Sequence, residues 1–471
     1  MKETVLAAAA ALSLLASPAL AAETADVVVV GAGAAGLSAS IGAAMRGAKV
    51  ILLEKTSDAG GSTALASLGF NAAGTPDQIA ARLTDDYPAF HAEDTLRYGH
   101  QINDKALVRA MTATAAPASE WLKTIGARLC LRITPIGSEA RPRLMAPCDG
   151  TATGPLLIQV LKAKALASQV DLRTESRATK LLLSNQKVDG IEVQTPKGRY
   201  QIKAKAVVLA TGGFAAYSSL VNQVHPSLKG IAPAGFRGAT GDGLVIARQA
   251  GASLIDMDQL EIRPTVSVKG NVPIEEALRA RGGILLNKAG KRFTDETGIR
   301  DIVSQDILKQ SGHSAYLVID SAIFEADKKL QTYVDRGLMT RCGTVAAVAK
   351  AIGANSATVK STLNRYYRAY DRKFDQDFAR YEMRVRLDQG PWYVAAVKPG
   401  VLATLGGIKI NDRAEVLRSG DTPIPGLYAA GEVTGGVHGG NMMPGNGLTD
   451  AVTFGLIAGA KSAAYVGKTG L

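Results

Sequence analysis

Val27-Val28-Val29-Val30-Gly31-Ala32-Gly33-Ala34-Ala35-Gly36 decides how this chain begins to fold. The apolar run over 25–30 reads as a buried strand of a parallel sheet. The glycines after it have G-x-G-x-x-G spacing and open a helix predicted over 34–46. A second strand, predicted over 48–53, leads into Glu54 and Lys55, which completes a βαβ unit. In such a unit Gly31 permits the tight turn, Gly33 lets backbone approach a pyrophosphate, and Gly36 allows close helix–strand packing. The unpaired N–H groups of the helix N-terminus favour an anion there. Glu54, about 20 residues on, offers its carboxylate to ribose hydroxyls. The stretch therefore predicts dinucleotide binding.

Working outward, helices are predicted over 105–125 and 154–166. Strands over 170–183, 188–194 and 199–202 form a small antiparallel layer, and 206–210 is another buried strand, closed by Thr211-Gly212-Gly213. From about residue 258 to 403 charges and aromatics rise. Tyr366, Tyr367, Tyr370, Phe374, Phe378 and Tyr381 are spaced along a basic helical stretch, as packing aromatics rather than a base-stacking platform. The glycine-rich apolar style returns near Gly406. The expected fold class is α/β, with a discontinuous Rossmann-like domain (24–257 and 404–471) and an inserted α+β capping domain (258–403).

Length and composition agree with a two-domain globular enzyme: 471 residues, 46% hydrophobic, 20% charged, with 50 glycines. The net charge of +12 is scattered rather than gathered in runs, which argues against nucleic acid as a partner and suits acidic redox partners or carboxylate substrates. Residues 1–22, with Lys2, an apolar run and Ala19-Leu20-Ala21, read as a secretory signal peptide, so the mature protein is expected to be periplasmic or secreted. No other segment is apolar enough to span a bilayer. The three cysteines include no C-x-x-C and no C-x-x-C-H, so neither a zinc ribbon nor covalent haem is expected, and no metal. In an oxidising compartment Cys130 and Cys148 either pair or, with Cys342, remain buried thiols.

Further motifs follow Glu54-Lys55 in order: Gly60-Gly61-Ser62-Thr63, Leu68-Gly69-Phe70-Asn71-Ala72-Ala73-Gly74, and Gly426-Leu427-Tyr428-Ala429-Ala430-Gly431-Glu432. With these the chain resembles the FAD-dependent fumarate reductase/succinate dehydrogenase flavoprotein family over nearly all of its length after residue 24. The resemblance is to the flavin part of soluble exported members such as flavocytochrome c fumarate reductase and urocanate reductase, without a haem domain. It implies a glutathione-reductase-like FAD domain. FAD is expected to be non-covalent, since Ser62 stands where membrane-bound relatives attach it through histidine. By the same resemblance Ala35, Glu54, Ser62, Thr63, Ala178, Asp242, Glu432 and the backbone at Gly447-Leu448 contact FAD, and Lys55 and Gly69 belong to the same site.

The resemblance also implies a reaction: hydride from flavin N5 to one alkene carbon, and a proton from an arginine to the other. The acid arginine falls on Arg300, and its relay on Glu276 and Arg279, three residues apart and so on one helix face. A guanidinium normally keeps its proton, so Arg300 is expected to need cationic neighbours and desolvation to depress its pKa. A salt-bridge network of purely structural role is the competing reading of the three residues. The chain departs from the fumarate pattern at Arg263, Glu275, Ala403 and Met442, taken as substrate-binding positions. Ala403 and Met442 replace a histidine and an arginine, and Met442, Met443 and Trp392 suit an apolar tail. Arg263 is expected to grip a single carboxylate, or else to be an ordinary interdomain arginine. The expected activity is reduction of the C=C bond of an enoate other than fumarate, with electrons from a separate carrier such as a c-type cytochrome. The rivals are a ketosteroid-type dehydrogenase on the same scaffold and a non-catalytic electron-relay flavoprotein.

Overall fold

The computed structural model describes residues 23–133 and 141–470, and the expected leader lies outside them. Strand β1 (Glu23–Val30), helix α1 (Ala34–Ala44) and strand β2 (Val50–Leu53) form the βαβ unit. Val27–Val30 of β1 and Val50–Leu53 of β2 are buried apolar runs, as both faces of a parallel sheet are covered. β1 lies between β2 and the strand Gly198–Leu209, parallel to both, with Val28 opposite Ile51 and Val207. Asp171–Arg173 extends the sheet beyond β2. Pro423–Ala429, from the far end of the chain, extends it on the other side, followed by the antiparallel edge Glu415–Leu417.

Two predicted strands, 199–202 and 206–210, are one strand of 12 residues. Its first half alternates exposed and buried residues and pairs antiparallel with Lys187–Thr195. From Ala206 on it is buried throughout, and from Ile202 it runs parallel beside β1. The change of period from alternating to continuous suggested a break, but it records one strand passing from a one-sided to a two-sided environment. The segment predicted as a strand over 170–183 is two, Asp171–Arg173, which pairs with β2, and Arg177–Ser184, which pairs with Lys187–Thr195.

Helix α1 packs parallel to the helix Asn446–Tyr465 at very close range. A Cβ added at Gly455 would stand 2.5 Å from the Ala35 carbonyl oxygen, and one at Gly459 would stand 2.2 Å from that of Ala39. Only glycine permits this approach, which sets the first turn of α1 beside the middle of the second helix.

A second sheet is built from Leu260–Ser267, Trp392–Thr404, Ala315–Ile319 and Ile284–Leu286, with Thr340–Cys342 alongside Trp392. Its apolar core draws on residues from Ile274 to Val397, whereas Leu260, Ile262 and Val401 belong to the core of the first sheet. The paired strands Leu260–Ser267 and Trp392–Thr404 thus cross from one core to the other. Tyr366 is buried in this second core, on the helix Ser356–Arg372. The helix stops there, with Lys373 in the left-handed region, so Phe374, Phe378 and Tyr381 are not helical, and Tyr381 is 95% exposed. Cys130 and Cys148 form a disulfide and Cys342 is a buried thiol. Among the described residues no helix is long and apolar enough to cross a membrane.

Candidate active site

A cleft of about 980 Å³ opens over the carboxyl ends of the first sheet and reaches the seam between the two cores. That is at the upper end of small-molecule sites, about 300–1,000 Å³. At its deep end the three glycines have different duties. Gly31 has φ +101°, and a Cβ there would be 2.3 Å from the Ala210 carbonyl oxygen. A Cβ at Gly36 would be 1.7 Å from the oxygen of Gly31 itself. Gly33 is under neither constraint: its φ is −79°, and an added Cβ would meet nothing nearer than the Thr63 hydroxyl at 3.6 Å. Gly33 lines the cleft, so the space it leaves is space for a ligand.

The neighbouring groups fit a dinucleotide. Glu54 accepts hydrogen bonds from the N–H of Ala32 (2.9 Å) and from the N–H and hydroxyl of Thr56, which ties the second strand to the glycine turn. Thr63 accepts from the Ala34 N–H at the start of α1 (3.1 Å). Lys55 donates to Thr240 and to Asp242 (3.0 Å), and Arg177 closes a fork on the same carboxylate. Burial pushes the Asp242 carboxyl up, but Arg177 and Lys55 outweigh it and hold the group below the usual carboxylate range. Ala35, Ser62, Gly69, Ala178, Gly447 and Leu448 all line the cleft, the last two from the start of the second helix. Ser62 and the Thr404 N–H hydrogen-bond Glu432, whose carboxyl burial pushes up to about 7.

At the seam, Arg300 begins the helix Arg300–Leu308 and lines the cleft. Its Nε donates to Glu276 (2.8 Å), and its Nη1 is ion-paired with Glu261. Glu276 lies behind Arg300, and Arg279 lies behind Glu276, 4.0 Å from its other oxygen. Neither Glu276 nor Arg279 lines the cleft. Arg279 is further held by the Glu296 carbonyl, and Glu296 is itself locked by Arg292 and Arg380.

The depressed pKa expected for Arg300 is not what this arrangement produces. Burial lowers it, and a helix N-terminus disfavours a cation, but Glu261 and Glu276 together outweigh both and raise it well above the ordinary arginine value. Arg279 is the arginine that burial lowers, despite Glu276. Glu276 is itself held low: burial opposes its charge, but Arg300, Arg263 and Arg279 prevail.

Arg263 and Ala403 line the cleft from the two crossing strands, and Met442 from the loop before the second helix. Arg263 donates to the Ile274 carbonyl (3.2 Å) and keeps a buried Nε with no partner among the described residues. Glu275 is not brought to the cleft, because the chain turns so that it neighbours Tyr333. Trp392 is also elsewhere, buried in the second core with its indole N–H on the Leu387 carbonyl. Two cleft features were missed in the sequence. Glu261 shares a strand face with Arg263, two residues away, a period-2 signal beside a residue already singled out. The pair His438–Asp450 (3.4 Å) has no local signal, since its members come from separate segments.

The fold and cleft define a flavoprotein with a dinucleotide site at one end and a buried acid–base cluster at the other. The sequence profile described as the FAD binding domain family, FAD_binding_2, matches residues 26–448. The cytochrome-type fumarate reductase of Shewanella frigidimarina is 41% identical over 448 residues, covering 95% of this chain and 78% of that protein. The urocanate reductase of Eggerthella lenta is 31% identical, covering 93% and 74%. Among solved structures, the open form of a flavocytochrome c3 fumarate reductase superposes with TM-score 0.85 at 37% identity, covering 94% of this chain and 79% of that one. A 3-ketosteroid-Δ4-(5α)-dehydrogenase from Rhodococcus jostii RHA1 superposes with TM-score 0.72 at 26% identity, covering 95% and 99%. The chain belongs to the FAD-dependent fumarate reductase/succinate dehydrogenase flavoprotein family and is an FAD-dependent oxidoreductase.

Proposed function

We propose that this protein reduces the C=C bond of an α,β-unsaturated carboxylate other than fumarate, with Arg300 as proton donor and Glu276 and Arg279 as its relay. The observation that carries this is the order of the three groups: Arg300 faces the cleft, Glu276 touches it from behind, and Arg279 stands behind Glu276. FAD, when bound, supplies the hydride for one alkene carbon, which leaves carbanion character on the carbon next to the carboxylate. Such a carbon is far more basic than a guanidine, so it takes a proton even from an arginine whose pKa is raised. The product gains one hydride and one proton, and an external two-electron donor restores the reduced cofactor.

Neutral Arg300 between two carboxylates is strongly disfavoured. Glu276 takes a proton from Arg279 on the oxygen that faces it, which has no hydrogen-bond partner among the described residues, and passes it to neutral Arg300, and solvent returns the proton to Arg279. The lowered pKa of Arg279 and the raised pKa of Arg300 make that direction downhill. Arg263, with its free Nε, holds the substrate carboxylate. Residues 258–403 form the capping domain that closes over the cleft and excludes water. FAD binds without a covalent link, since Ser62 is not a nucleophile of the histidine kind. The protein is exported and takes electrons from a separate carrier, a c-type cytochrome.

The test is to purify the FAD-loaded protein, reduce it with a low-potential dye, and follow flavin reoxidation by a panel of unsaturated acids. Reoxidation by at least one enoate, abolished in Arg300→Ala, is expected. If no unsaturated acid reoxidises the flavin, or Arg300→Ala turns over normally, the proposal is wrong. The likeness to a ketosteroid dehydrogenase and the uncharged Ala403 and Met442 favour one second reading, oxidation of a saturated apolar ketone. Anaerobic bleaching of oxidised flavin by a saturated ketosteroid would establish it instead. A relay flavoprotein would exchange electrons with its carrier and pass both tests unreactive.

A further inference from the structure

We propose that Glu261 restricts this cleft to enoates with a single carboxylate, and that its free oxygen receives a hydrogen-bond donor from the substrate's other end. The inference rests on the enoate-reductase reading above and names the substrate class for that site. Strand pairing sets Glu261 directly opposite Ala403, so the two side chains share a face, and both line the cleft. The Glu261 side chain is fully buried. One of its oxygens is taken by Arg300, while Oε2 has no partner among the described residues. Buried polar atoms are almost always satisfied, so an orphan oxygen at the wall of a cleft marks where a ligand group belongs.

The charges agree. Three arginines (263, 279 and 300) face two carboxylates (261 and 276), which leaves one surplus positive charge for one substrate carboxylate. Without Glu261 the surplus would be two and would suit a dicarboxylate. Of the other cations on the wall, Lys55 and Arg177 are held by Asp242 and Arg237 stands on the segment 233–239, whereas Ala403 and Met442 are uncharged and Glu432 adds negative charge when ionised. His438 is at best neutralised by Asp450. A second carboxylate near Ala403 would meet Glu261 in a desolvated site. An amide, hydroxyl or ammonium group in the same place would instead complete its hydrogen bonding.

The holoenzyme should therefore discriminate between fumarate and fumaramate, the trans monoamide, which match in shape and differ in one charge. With reduced dye as donor, kcat/KM for fumaramate should exceed that for fumarate about tenfold or more. Glu261→Gln keeps an acceptor for Arg300 but removes the charge. It should collapse the preference chiefly through the KM of fumarate. Ala403→His, which adds a cation opposite Glu261, should improve fumarate independently. Calorimetric binding of the saturated pair, succinamate and succinate, should show the same preference without turnover. Equal affinity for that pair in the native protein overturns the inference. So does Glu261→Gln if the preference persists, or if kcat falls equally for both substrates. If no enoate at all is reduced, the reductase reading fails, while the binding comparison still decides the role of Glu261.

Discussion

Glu276→Gln separates holding a proton donor from refilling it. The side-chain oxygen of glutamine can still accept the Arg300 Nε–H now 2.8 Å from Glu276, and Glu261 keeps the other end of the guanidinium. Arg300 therefore stays in place and charged. What disappears is the carboxylate that stands between Arg300 and Arg279, one oxygen on Arg300 and the other facing Arg279. General acid–base participation is worth about 10²–10⁴ in rate, or about 3–5 kcal/mol of barrier. Steady-state kcat should fall by that factor, with enoate KM nearly unchanged because Arg263 is untouched. A single turnover should behave differently. Arg300 already carries its first proton, so stopped-flow reoxidation of stoichiometrically reduced enzyme should retain most of the native rate, followed by a slow phase. The relay reasoning is refuted if the first turnover slows as much as the steady state, if the loss lies in KM, or if kcat falls less than about tenfold.

Three other outcomes are expected. Gly33→Ala should leave the stability of the apoprotein within about 1 kcal/mol and weaken FAD binding, measured by flavin titration. Gly36→Ala, facing a carbonyl at 1.7 Å, should prevent folding, seen by circular dichroism. Glu432 has a folded pKa raised to about 7 from 4.5, so the folded state binds the extra proton. Its contribution to apoprotein stability is full below about pH 4.5 and declines as pH rises to about 7, a slope that Glu432→Gln should remove from the melting profile. Replacing Cys130 and Cys148 by serine opens a loop with sequence separation 18 and should cost about 3 kcal/mol in denaturant unfolding, with flavin chemistry intact.

The glycine fingerprint was legible because its demands are local: a left-handed φ at Gly31 and a carbonyl 1.7 Å from any Cβ at Gly36 follow from the turn itself. The helix over Lys105–Thr124 was legible for a similar reason, since its apolar stripe, Asp104 cap and length all lie within one segment. Where environment changes along one element, local pattern misleads. The strand Gly198–Leu209 was split at the point where its second face becomes buried. The helical stretch predicted through Tyr381 stops at Arg372, because spacing of aromatics does not reveal which of them have a core to enter.

The chemistry divides in the same way. The sequence alone determined the glycine cradle, the acid closing the second strand, and the Glu276–Arg279 spacing, since each depends on neighbours a few residues away. Only the tertiary structure decided that Glu275 and Trp392 turn from the cleft, that Glu261 and Ala403 meet across a strand pair, and that Arg300 is raised rather than depressed. The reason is that a pKa in a buried site is set by charges within a few ångströms through space. Glu261 and Arg300 are 39 residues apart, and strand register, not spacing along the chain, brought that carboxylate to its arginine.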